Sequence, residues 1–316
     1  MLAGAASQPA VKESGGMVEQ AEVGRVTSFA FGGGRIEAFQ IPGGSGVPLL
    51  VLGGVELGFR PLAGMEQVLQ RRWERRAVHR PVTVLGRPIA VEGEETGRLL
   101  NPPVIAEIVS GAIHHLGLAP PVGPVAIEAE SGGGRISLWL TILHPDLVSR
   151  LVLASVASET PPGSQMATRM ARWIELAEAQ DWGRLFAGFA AQMQPAGDSL
   201  GDSPGDSPGD SPRSEDTFSA AARLQPRPST PERFIAELRS TLDPLSFVTS
   251  RLGEIRVPTL VLAGGKDQVV PPERTRQVAE SIPGARFELD PDSGHTVRSS
   301  FRGYDELVEA FLEEGD

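Results

Sequence analysis

The stretch VAIEAESGGGRISLWL (residues 125–140) runs from an apolar segment through Glu130-Ser131 into three glycines and on into a second apolar segment. Two structures fit this pattern. One is a buried strand, a tight turn and a helix, with Ser131 presented at the turn as a nucleophile. The other is a flexible glycine-rich loop holding an ordinary serine. At a strand-to-helix turn, the residues two before and two after the serine must be small, and here they are Ala129 and Gly133. Such a turn also aims Ser131 at the amino end of a helix, where partial positive charge favours a developing oxyanion. Glu130 carries no such size requirement and is set aside as a site residue.

The surrounding pattern favours the turn. Short apolar runs at 47–54, 81–89, 122–130, 149–155 and 257–265 need cover on both faces, as central parallel strands do. Helix-like segments at 61–79, 102–117, 133–145 and 272–282 separate them. This alternation predicts an α/β fold, a mostly parallel sheet covered by helices on both faces, with ligands bound at the carboxyl ends of the strands. Ahead of it, RVTSFAF and RIEAFQI alternate around Gly32-Gly33-Gly34 and predict an antiparallel hairpin. The core is expected over 23–156 and 251–316. Between them, 165–193 and 230–242 have helical periodicity and predict a helical cap over 157–250. Within it, GDSLGDSPGDSPGDSP (197–212) reads as a low-complexity linker. Its aspartates match the spacing of neither an EF-hand loop nor a calcium-binding nonapeptide repeat. Residues 1–22 read as a disordered lead, in which Met17 is an alternative start.

At 316 residues, with 40% hydrophobic and 22% charged side chains, the composition is that of a soluble globular protein. A net charge of -11 argues against nucleic acid and anionic membranes as partners and leaves a small-molecule substrate. The basic run RRWERRAVHR (71–80) is read as the solvated face of a helix. The chain has no cysteine, so disulfides, thiolate nucleophiles and thiolate metal sites are excluded. Without signal-peptide features or a membrane-length apolar run, the expected location is cytoplasmic. GGKDQ lacks the features of a phosphate loop, no G-x-G-x-x-G follows a strand, and no pair has metal-site spacing. Neither cofactor nor metal is expected, and the oligomeric state is left open.

A serine nucleophile needs a base oriented by a carboxylate, each placed just beyond a later strand. TLVLAGGKDQVVPP puts Asp267 after a strand, with Pro271-Pro272 opening the next helix. ARFELDPDSGHTV puts His295 after another, ahead of a C-terminal helix. His79, His114, His115 and His144 lie on or at the ends of helices and are assigned structural or surface roles. Asp290 and Asp292 are explained by turn chemistry, and Glu159 is a weaker rival for the acid. The oxyanion hole is expected from the backbone N–H of Gly132 and that of Val55 or Gly54.

EAESGGG, HPDLVSRLVLAS, VPTLVLAGGKDQVVPP and DSGHTV, in this order, make the chain resemble the α/β-hydrolase fold superfamily in its capped, serine-nucleophile form. The resemblance covers about 25–314 and implies Ser131 as nucleophile, Asp267 as acid and His295 as base. It departs from the family at Ala129, where glycine is usual, and at LGGVELG, where Gly53 replaces the usual histidine before the oxyanion glycine. AVEGEETG (90–97) also replaces a usual turn. The implied activity is hydrolysis of a small or medium uncharged ester. Aminopeptidase, lactonase and C–C bond hydrolase activities are alternatives, as is a non-catalytic small-ligand-binding protein. Glu175 and Glu178, three apart on a cap helix, are either an amine-binding pair or a polar face.

Overall fold

The computed structural model describes residues 24–31, 33–54, 62–90, 96–118, 123–193 and 231–314. The expectations for the lead (1–22), Val55, residues 91–95 of AVEGEETG and the repeat at 197–212 lie outside the described residues. In chain order the elements are β1 (Arg25–Phe31), β2 (Gly34–Ile41), β3 (Leu49–Leu52), α1 (Glu66–His79), β4 (Val82–Leu85), β5 (Ile89–Ala90), α2 (Thr96–Leu99), α3 (Pro102–His115), β6 (Val125–Glu130), α4 (Gly132–Leu143), β7 (Val148–Ala154), α5 (Gln165–Glu178), α6 (Trp182–Met193), α7 (Pro231–Leu242), β8 (Thr259–Gly264), α8 (Pro272–Ser281), β9 (Arg286–Asp290), α9 (Val297–Ser300) and α10 (Tyr304–Glu313).

The strands form one sheet in the order β1-β2-β4-β3-β6-β7-β8-β9, with β5 also on β2. The β1–β2 hairpin is antiparallel, as is β2–β4, and every pair from β4 to β9 is parallel. The apolar run at 81–89 does not form one strand. The ladder ends at Leu85, and Ile89-Ala90 pairs separately with β2.

Side chains alternate across a strand, so a strand covered on both faces must be apolar throughout. Leu50, Leu52, Ile127, Leu151, Leu153 and Val261 face a cluster completed by α3, α4 and α8. Leu49, Val51, Ala126, Val152, Leu260 and Leu262 face the opposite cluster, completed by α1 and α10.

Thr83 and Thr259 depart from this rule with a hydroxyl, and one described, buried position in these strands departs with a charge. Glu128, in the middle of β6, is 3% exposed. Its carboxylate accepts from Arg76 Nε at 3.0 Å, Arg298 Nη1 at 2.6 Å and the Tyr304 hydroxyl at 3.0 Å. Burial acts to raise the Glu128 pKa, but Arg298 and Arg76 outweigh it and hold the group below the usual carboxylate range. The reading of 71–80 as a solvated face holds for Arg71, Arg72, Glu74, Arg75 and His79, which are exposed, and is corrected at Arg76 and Arg80. Helical spacing puts Trp73 and Arg76 on the buried side of α1, Arg80 follows its last turn in extended backbone, and both arginines are at most 1% exposed. Arg76 also pairs with Glu309 and Asp305, and Arg80 with Glu309, which is how buried guanidinium groups are tolerated.

Between β7 and β8 the alternation stops. α5, α6 and α7 pack Met166, Met170, Trp173, Leu185, Phe234 and Leu238 with Ala157, Val269 and Val270 in a third apolar cluster. The helical stretch at 165–193 is two helices, broken where Gln180 adopts a positive φ of 55°. Asp181 then caps α6 by accepting from the Arg184 N–H at 3.2 Å. The excursion closes on itself, because the Val248 N–H donates to the Ser158 carbonyl at 3.0 Å and the Ser158 and Thr249 hydroxyls bond at 2.7 Å. Among the described residues, no helix is long and apolar enough to cross a membrane.

Candidate active site

β6 ends at Glu130 and α4 begins at Gly132, leaving Ser131 alone at the turn. Its backbone lies at φ 53°, ψ −120°, a conformation that costs a non-glycine residue about 1–3 kcal/mol. The surroundings enforce it: the Ser131 N–H donates to the Ala154 carbonyl at 2.9 Å, and its carbonyl accepts from the Gly134 N–H at 3.0 Å. The requirement for a small residue at position 133 is physical. A Cβ there would stand 2.0 Å from the Leu52 carbonyl oxygen and 2.5 Å from that of Gly53. Gly133→Ala is therefore expected to destabilise the fold by about 1–3 kcal/mol, as overpacking against rigid backbone does, measurable by urea unfolding. Ala129 is accommodated at 2% exposure.

Two further loops converge on this turn. The loop after β8 and the loop after β9 touch backbone to backbone, with Gly265 N–H donating to the Asp290 carbonyl at 2.7 Å and Lys266 N–H to that of Ser293 at 2.9 Å. Such closeness needs a glycine at 264, where a Cβ would meet the Gly294 oxygen at 2.2 Å. Asp267 and His295 are thereby brought together, 7% and 4% exposed. His295 Nδ1 lies 2.9 Å from Asp267 Oδ2 and 3.0 Å from Oδ1. On the other side of the ring, His295 Nε2 lies 3.1 Å from Ser131 Oγ. Asp267 Oδ1 also accepts from the N–H groups of Val269 at 2.8 Å and Val270 at 2.9 Å. An ionised carboxylate only accepts, so the proton on Nδ1 points at Asp267 and Nε2 is left as acceptor toward Ser131.

The residues expected around this trio divide. Gly132 opens α4, so its N–H has no acceptor within the helix. Gly54 abuts the serine, since a Cβ at Gly54 would stand 3.2 Å from Ser131 Cβ. Glu159 is not an acid partner of His295. It accepts from Thr249 Oγ1 at 2.9 Å and pairs with Arg274 at 3.5 Å. Asp290 accepts from Asp292 N–H, Ser293 Oγ and Arg302 N–H. Despite the upward pull of burial, those bonds hold it below the usual carboxylate range. Asp292 pairs with Lys266.

The other histidines lie elsewhere: His79 by Glu313, His115 stacked on Phe29, His144 by Glu107, and His114 exposed. His79, Glu309 and Glu313 offer ligand atoms within 4.8 Å of one another, but both Glu309 oxygens already accept from Arg76 and Arg80. Glu175 and Glu178 pair with Arg172 and Arg239 on exposed surface.

A cavity of about 410 Å³ opens beside Ser131 and His295. One side is apolar, walled by Met166, Met170, Trp173, Phe189, Leu238 and Val270. The other is polar, with Arg72, Glu130, Arg298 and Ser299. Glu130, which turn sterics leave unconstrained, lines the cavity 3.6 Å from Arg72. Arg135 also lines the cavity, one helical turn beyond Ser131. Its buried guanidinium donates to the Ala157 and Thr241 carbonyls and to the Ser246 and Thr160 hydroxyls, tying α4 to the excursion. Burial pushes its pKa down to about 10, against the pull of Glu159. The i,i+4 spacing from Ser131 is the signal that points to it in the sequence.

Known proteins share this architecture. A family model described as the alpha/beta hydrolase fold matches residues 118–297, more than half of the chain. A 2-hydroxymuconate semialdehyde hydrolase of Pseudomonas putida is 28% identical over 192 residues, 60% of this chain and 63% of that protein, so the match spans less than two thirds of its length. MGS-M2, an alpha/beta hydrolase enzyme from a Medee basin deep-sea metagenome library, superposes with a TM-score of 0.71 at 16% identity over 92% of this chain and 98% of that one. An esterase from Exiguobacterium antarcticum gives 0.66 at 20% identity, over 90% and 97%. With sheet order, serine turn and family match in agreement, the chain belongs to the alpha/beta hydrolase fold family.

Proposed function

We propose that the chain is a serine hydrolase that cleaves small or medium uncharged esters through an acyl enzyme, with α5, α6 and α7 as its cap. The observation that carries this reading is the continuous line from Ser131 Oγ through His295 to Asp267, with contacts of 3.1 and 2.9 Å, opening on a cavity with one apolar side. Ser131 Oγ attacks the ester carbonyl carbon while His295 Nε2 takes its proton. The imidazolium is stabilised by Asp267, itself held by the Val269 and Val270 N–H groups. The negative charge on the carbonyl oxygen is met by the N–H of Gly132 and one from Gly54 or Val55. Collapse expels the alcohol, which leaves with the proton from His295. Water, deprotonated by the same nitrogen, then attacks the acyl enzyme, and the acid departs as His295 returns the proton to Ser131. The apolar wall suits the acyl chain. At the polar end, Arg298 is matched by Glu128 and Arg72 faces Glu130, which suits a substrate without net charge. Similar proteins named as a semialdehyde hydrolase and an esterase support hydrolysis as the reaction class.

A fluorophosphonate probe tests the reading. Wild-type protein is expected to become labelled at Ser131, and Ser131→Ala is expected not to. Wild-type protein that fails to label sinks it. A panel of p-nitrophenyl esters, amides and lactones then identifies the bond cleaved.

A further inference from the structure

The loop after β3, LGGVELG, lacks the side chain usual before its second glycine, yet Gly53 is held by another. Arg87, just past β4 and 4% exposed, donates from Nη2 to the Gly53 carbonyl at 2.9 Å. Its Nε donates to Glu237 Oε1 on α7 at 3.1 Å, and Glu237 is also 4% exposed. Arg233, one turn earlier on α7, donates Nη2 to the carbonyls of Arg87 and Pro88, both at 3.2 Å, so the backbone that carries Arg87 is fixed from the same helix.

The peptide joining Gly53 and Gly54 is planar and trans, so its C=O and N–H point in opposite directions. Pinning the Gly53 oxygen on Arg87 therefore sets the direction of the Gly54 N–H. That peptide lies against Ser131 on one side and the first turn of α4 on the other, as the close approaches at Gly54 and Gly133 require.

We propose that Arg87 is a positioning residue for the oxyanion loop and that Glu237 holds it there, so that the seating of α7 sets the orientation of the loop beside Ser131. This rests on the serine-hydrolase reading for its catalytic consequence, though not for the pinning itself. The guanidinium suits the task because its planar fork serves two acceptors in fixed directions, which an ammonium group does not do. Of the two candidate donors, Gly54 and Val55, the pinning acts on Gly54, so α7 is then part of the machinery that orients this N–H as well as a wall of the cavity.

The test uses the full chain with Arg87→Met, Arg87→Lys and Glu237→Gln, read in two ways. Hydrogen exchange of the amides at 50–54 reports the pinning without reference to catalysis, and should accelerate at least tenfold in Arg87→Met. Turnover of p-nitrophenyl butyrate, normalised to sites titrated with the fluorophosphonate, excludes unfolded protein from the count. Its kcat should fall about 10- to 100-fold in Arg87→Met, short of the 10²–10³ lost when an oxyanion donor is removed outright, with KM within twofold. Arg87→Lys should recover part of kcat. Glu237→Gln, which keeps an acceptor but loses the charge, should fall about threefold, and it decides the matter if Arg87→Met does not fold. Unchanged exchange at 50–54 overturns the pinning. Accelerated exchange with unchanged kcat per titrated site overturns the positioning role. Failure of wild-type protein to label sinks the hydrolase reading while leaving the exchange result standing on its own.

Discussion

Asp267→Asn is expected to lower kcat for ester hydrolysis by about 10⁴-fold while leaving the fold intact, the scale of loss seen when a triad carboxylate is neutralised. The local hydrogen bonds decide the outcome. Asp267 Oδ1 accepts from both Val269 and Val270 N–H, so the amide oxygen of an asparagine is held at that position. The amide nitrogen then takes the place of Oδ2, 2.9 Å from His295 Nδ1, so one of the two acceptors facing that nitrogen becomes a donor and the negative charge is lost. The donor favours the tautomer with its proton on Nε2, which cannot take one from Ser131, and an uncharged amide no longer stabilises the imidazolium. Steady-state kinetics together with an unchanged circular dichroism spectrum check this. A loss below about tenfold would remove Asp267 from the role assigned to it.

Glu128→Gln is expected to destabilise the protein by about 3–5 kcal/mol at neutral pH, measured by urea unfolding. Both carboxylate oxygens are occupied by donors, Oε2 by Arg76 and Oε1 by Arg298 and Tyr304. A glutamine has to turn its NH₂ toward one of them, and the buried Arg76 loses its partner on the sheet. Because the folded-state pKa of Glu128 lies below its ordinary value of 4.5, its stabilising contribution is fully present above that value. The contribution is lost as pH falls through the lower folded-state value, so wild type and variant should converge in acid. Arg298 is three residues beyond His295, and its guanidinium stacks 3.8 Å over Trp73 while donating to the Arg72 carbonyl at 2.9 Å. Freed from Glu128, it loosens the segment that carries His295.

The sheet and the residues around Ser131 were legible because local pattern determines them. Strands covered on both faces write uninterrupted apolar runs, and a serine between a strand and a helix writes small residues around itself. Asp267 and His295 were legible for the same reason, each standing just after a strand end. Glu128, Arg76 and Arg298 were not. The two arginine partners of Glu128 lie 52 and 170 residues away, and a buried charge carries no local mark of the charge that neutralises it. The reading of 71–80 as solvated failed at Arg76 and Arg80 alone, since composition counts arginines without saying which of them face inward. Turn sterics say nothing of Glu130 as a lining residue, because its neighbour there, Arg72, comes from another element. Arg87 and Glu237, 150 residues apart, belong to the same class.

The hydrogen bond between Val248 and Ser158 makes the excursion a ring with respect to the sheet: chain leaves and re-enters at one place. The entropy of closing such a ring grows only with the logarithm of its length, about 0.6 kcal/mol for each doubling. Residues can be added between the end of α6 at 193 and the start of α7 at 231 with little effect on the stability of the strands, and the four tandem GDS units at 197–212 lie within that interval. The chain is thus free to change length in that interval, while α5 and α7, which line the cavity or hold Arg87 and Arg135 in place, and the collar at Ser158 and Val248 are not.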